Sequence, residues 1–83
     1  MSVGTTLSDA RVAAGLSLDE LAGLSKLRAT ILSAMESGDF SHCGGLVYAR
    51  GQLRALAPLL NLNPDALVDA FASEVEAGLH GSE

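Results

Sequence analysis

The chain has 83 residues, a formal net charge of −5 and a composition that is 48% hydrophobic. That length makes one domain and leaves little room for a substrate cavity inside a small core. One cysteine, Cys43, excludes an internal disulfide and fits a reducing compartment. There is no basic start followed by an apolar run of the kind a signal peptide has, and no apolar stretch of about 18 residues that would span a membrane.

The charge is uneven. Residues 1–62 carry five acids and five bases, whereas residues 63–83 carry Asp65, Asp69, Glu74, Glu76 and Glu83 with no base. Leu and Ala dominate the apolar residues, Pro and β-branched residues are sparse, and no segment alternates apolar with polar. The expectation is an all-α chain of five short helices.

In chain order, residues 1–5 read as a flexible N-terminus and 6–77 as the folded domain. The first helix is expected from Thr6, its cap, to Ala14, with Gly15 closing it in the left-handed conformation. Ser17 and Glu20 have capping-box spacing and open the second helix, which points Leu18, Leu21 and Ala22 at the core. A turn over Gly23 to Leu27 leads to a third helix, Arg28 to Ser37, with Ile31, Leu32 and Met35 inward and Gly38 as its stop. Residues 39–45 read as a loop in which Phe40 plugs the core. A fourth helix covers Leu46 to Leu60, and Pro58 is expected to kink or end it near Ala57. Asn63-Pro64 starts the fifth as a cap and a first-turn proline, with Asp65 suited to the helix dipole, and residues 78–83 read as a flexible tail. Leu18, Leu21, Leu32, Phe40, Leu53 and Leu60 are the expected core.

The spacing of Leu21, Ala22, Leu27, Ile31, Leu32 and Met35 is that of a compact, repressor-like helix-turn-helix. In a DNA-binding regulator of that type the third helix would read bases from its first turn. Here Lys26, Arg28, Thr30 and Ser33 are the candidate contacts. Ala29 offers at most a thymine methyl contact, and Asp19 and Glu20 stand where a phosphate would approach. With a net charge of −5, specific DNA readout is the weaker expectation.

Tyr48, Gln52, Ala55, Leu56 and Leu59 fall at helical spacing on the fourth helix and cannot all share one face with Leu53, Ala57 and Leu60. One stripe packs inward and the other is a candidate partner surface, with Tyr48 and Leu56 assignable to either. Gly51 in mid-helix suggests a close approach by a neighbour. Arg50 and Arg54 read as rim residues of a partner surface or as partners of Glu36 and Asp39. His42 and Cys43 are adjacent, but with only His80 besides they make no zinc set. No nucleophile is paired with a base, so no enzyme, metal or cofactor is expected.

A more specific resemblance runs from Gly15 to Phe71. It is carried by Ala14-Gly15-Leu16-Ser17-Leu18-Asp19-Glu20-Leu21-Ala22, Lys26-Leu27-Arg28, Gly38-Asp39-Phe40, Val47-Tyr48-Ala49-Arg50-Gly51, Leu53-Arg54 and Asn63-Pro64 with Leu67 and Phe71. These segments resemble the cytoplasmic helix-turn-helix domain of the RodZ family of bacterial cell-shape proteins. The resemblance implies a domain on the cytoplasmic face of the inner membrane, joined by a linker to a membrane helix. It also implies a protein partner, the actin homologue MreB or another cytoskeletal or division protein. In the family a Phe follows the Tyr-Ala-Arg-Gly segment and a Tyr comes four residues later, and these rings touch the filament. Here those positions are Gln52 and Leu56. The partner-binding set implied is Tyr48, Gln52 and Leu56 with Arg50 and Arg54 at the rim. A structural domain that dimerises is the remaining alternative.

Overall fold

The computed structural model describes residues 2–76. Five α-helices follow in order, α1 (Val3–Ala13), α2 (Leu18–Ser25), α3 (Ala29–Glu36), α4 (Leu46–Leu59) and α5 (Pro64–Glu76), with a 3-10 turn at Ser41–Cys43 before α4. No strand occurs among the described residues, and the architecture is the all-helical one expected.

Local signals account for most of the boundaries. Ser17 accepts from the Glu20 amide at 3.0 Å while the Ser17 amide donates to the Glu20 carboxylate at 2.8 Å, so the capping box closes in both directions. Gly15 takes φ +75° after α1 and Gly38 takes φ +90° after α3, conformations that cost a side-chain-bearing residue more. The Asn63 side chain accepts from the Ala66 amide at 3.0 Å and Pro64 occupies the first position of α5, where its missing amide has no helical partner to lose.

Three boundaries differ from the expectation. The first helix starts at Val3, not Thr6, because Ser2 caps it by accepting from the Thr5 amide at 3.1 Å. Residues 3–5 are therefore helical rather than frayed, and Val3 and Gly4 are buried. The second helix continues through Gly23 to Ser25, and the turn shortens to Lys26–Arg28 because Lys26 itself adopts the left-handed conformation, φ +65°. The fourth helix passes Ala57 and holds Pro58 in its last turn, where Leu60 and Leu62 amides still bond back to Leu56 and Ala57 carbonyls. The expected flexible tail, 78–83, lies outside the described residues.

The core gathers one stripe from every helix. Leu7, Leu21, Leu32, Met35, Leu53, Leu56, Ala57, Leu60, Leu67 and Phe71 are all buried, while Leu18 is only half-buried against them. Phe40 is the plug: its ring lies 4.8 Å from that of Phe71 at 60°, a tilted aromatic pair. Helix α5 packs along α4 and also reaches α1, and α3 packs on both α1 and α2. The approach of α1 to α3 is close enough that a Cβ on Gly4 would stand 2.6 Å from the Glu36 carbonyl oxygen. Only glycine fits there.

Candidate functional site

The charged residues separate into those used internally and those left at the surface. Arg11 spans three elements. Its Nε and Nη2 donate to the two Glu36 carboxylate oxygens at 2.7 and 3.2 Å, and Nη1 donates to the Leu16 carbonyl at 2.9 Å. This bidentate pair is largely buried and clamps α1, the α1–α2 turn and the end of α3 together. The hydrogen bonds it donates to Glu36 hold the Arg11 guanidinium more firmly protonated than usual. The Val3 amide donates to the Glu74 carboxylate, so α5 closes over the N-terminal end of α1 with an anion suited to that dipole. Neither contact was expected from the sequence. The sequence offers Glu36 as one alternative partner of Arg50 and Arg54, but its partner is Arg11, 25 positions earlier.

Helix α4 divides the candidate partner residues. Leu56 has no exposure at all and is corrected to the core, together with Ala49, Leu53 and Ala57 on the same face. Tyr48, by contrast, is 66% exposed, beside Val47 at 77% and Leu46 at 49%. The set Tyr48, Gln52, Ala55, Leu56 and Leu59 that the sequence groups together is therefore split, with Leu56 inward beside Leu53 and Ala57 and Tyr48 outward. Arg50 is exposed and Arg54 donates to Asp65 of α5 at 2.8 Å, not to Glu36 or Asp39. Gln52 is half-buried at the boundary. Its Nε2 donates to the Cys43 carbonyl at 3.4 Å, which ties the 3-10 turn to α4, and its Oε1 is buried without a hydrogen bond.

Gly51 carries no close neighbour: an added Cβ would find nothing within 4 Å. The expectation of a tight approach at Gly51 is therefore wrong, and the close-approach glycine of this fold is Gly4. The space over Gly51 is a surface groove of about 390 Å³ between α4 and the α2–α3 turn, bounded by Leu27 and Lys26 on one side and by Val47, Tyr48 and Ala55 on the other.

The residues considered for DNA contact lie at the start of α3. Lys26, Arg28, Thr30 and Ser33 are all exposed, and Arg28 and Thr30 share a second shallow cavity, about 330 Å³, with Ile31 and His42. Arg28 caps α3 by position without a side-chain hydrogen bond. Lys26, Arg28 and Arg50 enter no ion pair among the described residues, whereas Arg11 and Arg54 do.

The loop before α4 is ordered by Asp39, which accepts from the Ser41 hydroxyl at 2.6 Å and the Ser41 amide at 3.0 Å. Those bonds hold the Asp39 carboxyl below the usual carboxylate range, and His42 stands 3.5 Å away. Cys43 is buried, and burial pushes its thiol above the ordinary value, with Asp39 adding to the effect. Among the described residues no three metal-ligating side chains gather, and no helix is long and apolar enough to cross a membrane.

Against known proteins, the helix-turn-helix domain family matches residues 6–67. The chain is also 35% identical over 72 residues to a protein of Streptococcus pneumoniae (strain ATCC BAA-255 / R6) called cytoskeleton protein RodZ. That alignment covers 87% of this chain and 26% of the other, so the chain spans about a quarter of the length of the relative it matches. No solved structure gives a significant match.

Proposed function

Because this chain belongs to the helix-turn-helix domain family and is RodZ-like over most of its length, we propose that it is a protein-binding module of the cytoskeleton or division machinery. In this reading it is the cytoplasmic part of a membrane-anchored protein, and a filament of the MreB type is the first partner to test. The observation that carries the reading is the exposure of Val47 and Tyr48 on the first turns of α4. An aromatic ring and a branched aliphatic side chain held in solvent on a rigid helix are the ingredients of an interface anchor.

Two features shape that interface. Leu56 is part of the core and offers a partner nothing, so the contact has to shift toward the N-terminal half of α4. Gln52 puts an amide where the related domains carry a ring, which removes one aromatic anchor and leaves Tyr48 as the principal one. Arg50 supplies charge at the rim. DNA readout draws support from exposed Lys26 and Arg28, but Asp19 is exposed in the first turn of α2 and Glu20 is committed to its own cap. A first turn of α3 with Ala29 and Thr30 is also poor in base-reading groups.

Interferometry against purified MreB-type filaments tests the proposal. Tyr48→Ala is expected to weaken binding by about tenfold or more. Gln52→Phe, which restores a ring at the half-exposed position, is expected to strengthen it. If the wild-type domain binds no filament yet binds a selected DNA duplex tightly at physiological salt, the DNA reading replaces this one.

A further inference from the structure

We infer that the groove between the α2–α3 turn and α4 receives an amphipathic helical segment whose polar face carries carboxylates, with Lys26 as the residue that selects for them. This rests on the protein-binding reading and adds the chemistry of the partner.

The groove has the shape for a helix. Val47, Gly51 and Ala55 succeed one another at four-residue spacing, so they form one ridge of α4 about 12 Å long, close to two helical turns. At its middle the backbone of α4 is bare, since nothing lies within 4 Å of a Cβ placed on Gly51. An incoming Leu or Ala side chain can rest directly on that backbone, walled by Leu27 on one side and Tyr48 on the other.

The charge that lines it has one sign. No acidic side chain lines the groove, Lys26 does, and Lys26 forms no ion pair among the described residues. Arg50 lies one position before Gly51 on α4, exposed and equally without an ion pair. The acids of α5 are directed elsewhere: Asp65 pairs with Arg54 and Glu74 meets the Val3 amide. A cation at the rim of an apolar trough matches an apolar stripe flanked by carboxylates. The apolar walls separate this from a phosphate site, because a nucleic-acid backbone has nothing to place against Leu27 and Val47. Lys26 adopts the left-handed conformation and lines the groove opposite α4.

Two synthetic helices test this, sharing one Leu/Ala stripe and carrying either Glu or Lys on the polar face, together with a short DNA duplex as competitor. Fluorescence anisotropy is expected to show the Glu peptide binding several-fold tighter than the Lys peptide, with affinity falling as salt rises. Amide shifts on binding should gather at Leu27, Tyr48 and Gly51. Lys26→Glu should reverse the peptide preference, and Gly51→Met, which fills open space without touching the core, should abolish binding of both. Equal binding of the two peptides, shifts that map to another face, or displacement of the Glu peptide by the duplex would each overturn the inference. Filament binding that survives Gly51→Met also overturns it, while leaving a cytoskeletal partner in place.

Discussion

The side of the domain built from α1, α3 and α5 and the side built from the α2–α3 turn and the first half of α4 are made on opposite plans. On the first, glycine is required by contact, charges are paired and a helix end is covered: Gly4 against the Glu36 carbonyl, Arg11 in the fork of Glu36, and the Val3 amide on Glu74. On the second, glycine has empty space over it, cations stand without ion pairs, and Tyr48 and Val47 face solvent. The difference separates the residues that hold the domain together from those the fold leaves exposed.

Substitutions should expose that contrast, beginning with the largest effect. Gly4→Ala forces a Cβ to 2.6 and 2.7 Å from the carbonyl oxygens of Glu36 and Met35, which are backbone and cannot step aside. Despite the better helix propensity of Ala, urea unfolding should show a loss of about 2–3 kcal/mol. Arg11→Ala leaves the Glu36 carboxylate largely buried without its guanidinium and should cost about 2 kcal/mol in the same measurement. Gly51→Ala, by contrast, should stabilise by about 0.5–1 kcal/mol, because it gains helix propensity and meets nothing. If Gly51→Ala destabilised as Gly4→Ala does, the two sides would not differ as described.

A smaller effect belongs to the loop that leads into the open side. Asp39 has its folded value lowered by the Ser41 bonds. Its contribution is therefore present above the unfolded carboxylate value and is lost as pH falls through the folded one. Comparing the pH dependence of unfolding in wild type and Asp39→Asn should remove that small acid-limb slope and leave the neutral region little changed.

What the sequence made legible is what short-range chemistry decides. The Ser17–Glu20 box, the Gly15 and Gly38 stops and the Asn63-Pro64 start each depend on residues within four positions of one another. Phe40 as a core plug was legible because a lone ring in a polar loop has few other uses. The start of α1 was not: the Ser2 cap on the Thr5 amide is local, but Thr6 offers a competing cap, and Gly4 acquires its role only when α3 packs against it. The pairing of Arg11 with Glu36 crosses 25 residues and follows from the packing of α1 on α3, which no local pattern encodes. The rotational phase of α4 was undetermined for a related reason. Both of its stripes carry apolar residues, and the choice of Leu56 for the core over Tyr48 is made by tertiary packing, chiefly that of α5 along α4, with α2 and the 3-10 turn also against α4. That choice also decided which candidate site residues survive: Tyr48, Gln52 and Arg50 remain accessible in whole or part, Arg54 is tied to Asp65, and Leu56 is lost to the interior.

The central claim is that binding resides on a face the fold does not need. Measuring the unfolding free energy and the filament affinity of Tyr48→Ala side by side tests it most directly. Stability within about 0.5 kcal/mol of wild type, together with binding weakened by about tenfold or more, is the predicted result. A variant that loses several kcal/mol of stability, or one that stays folded and binds as wild type does, would contradict it.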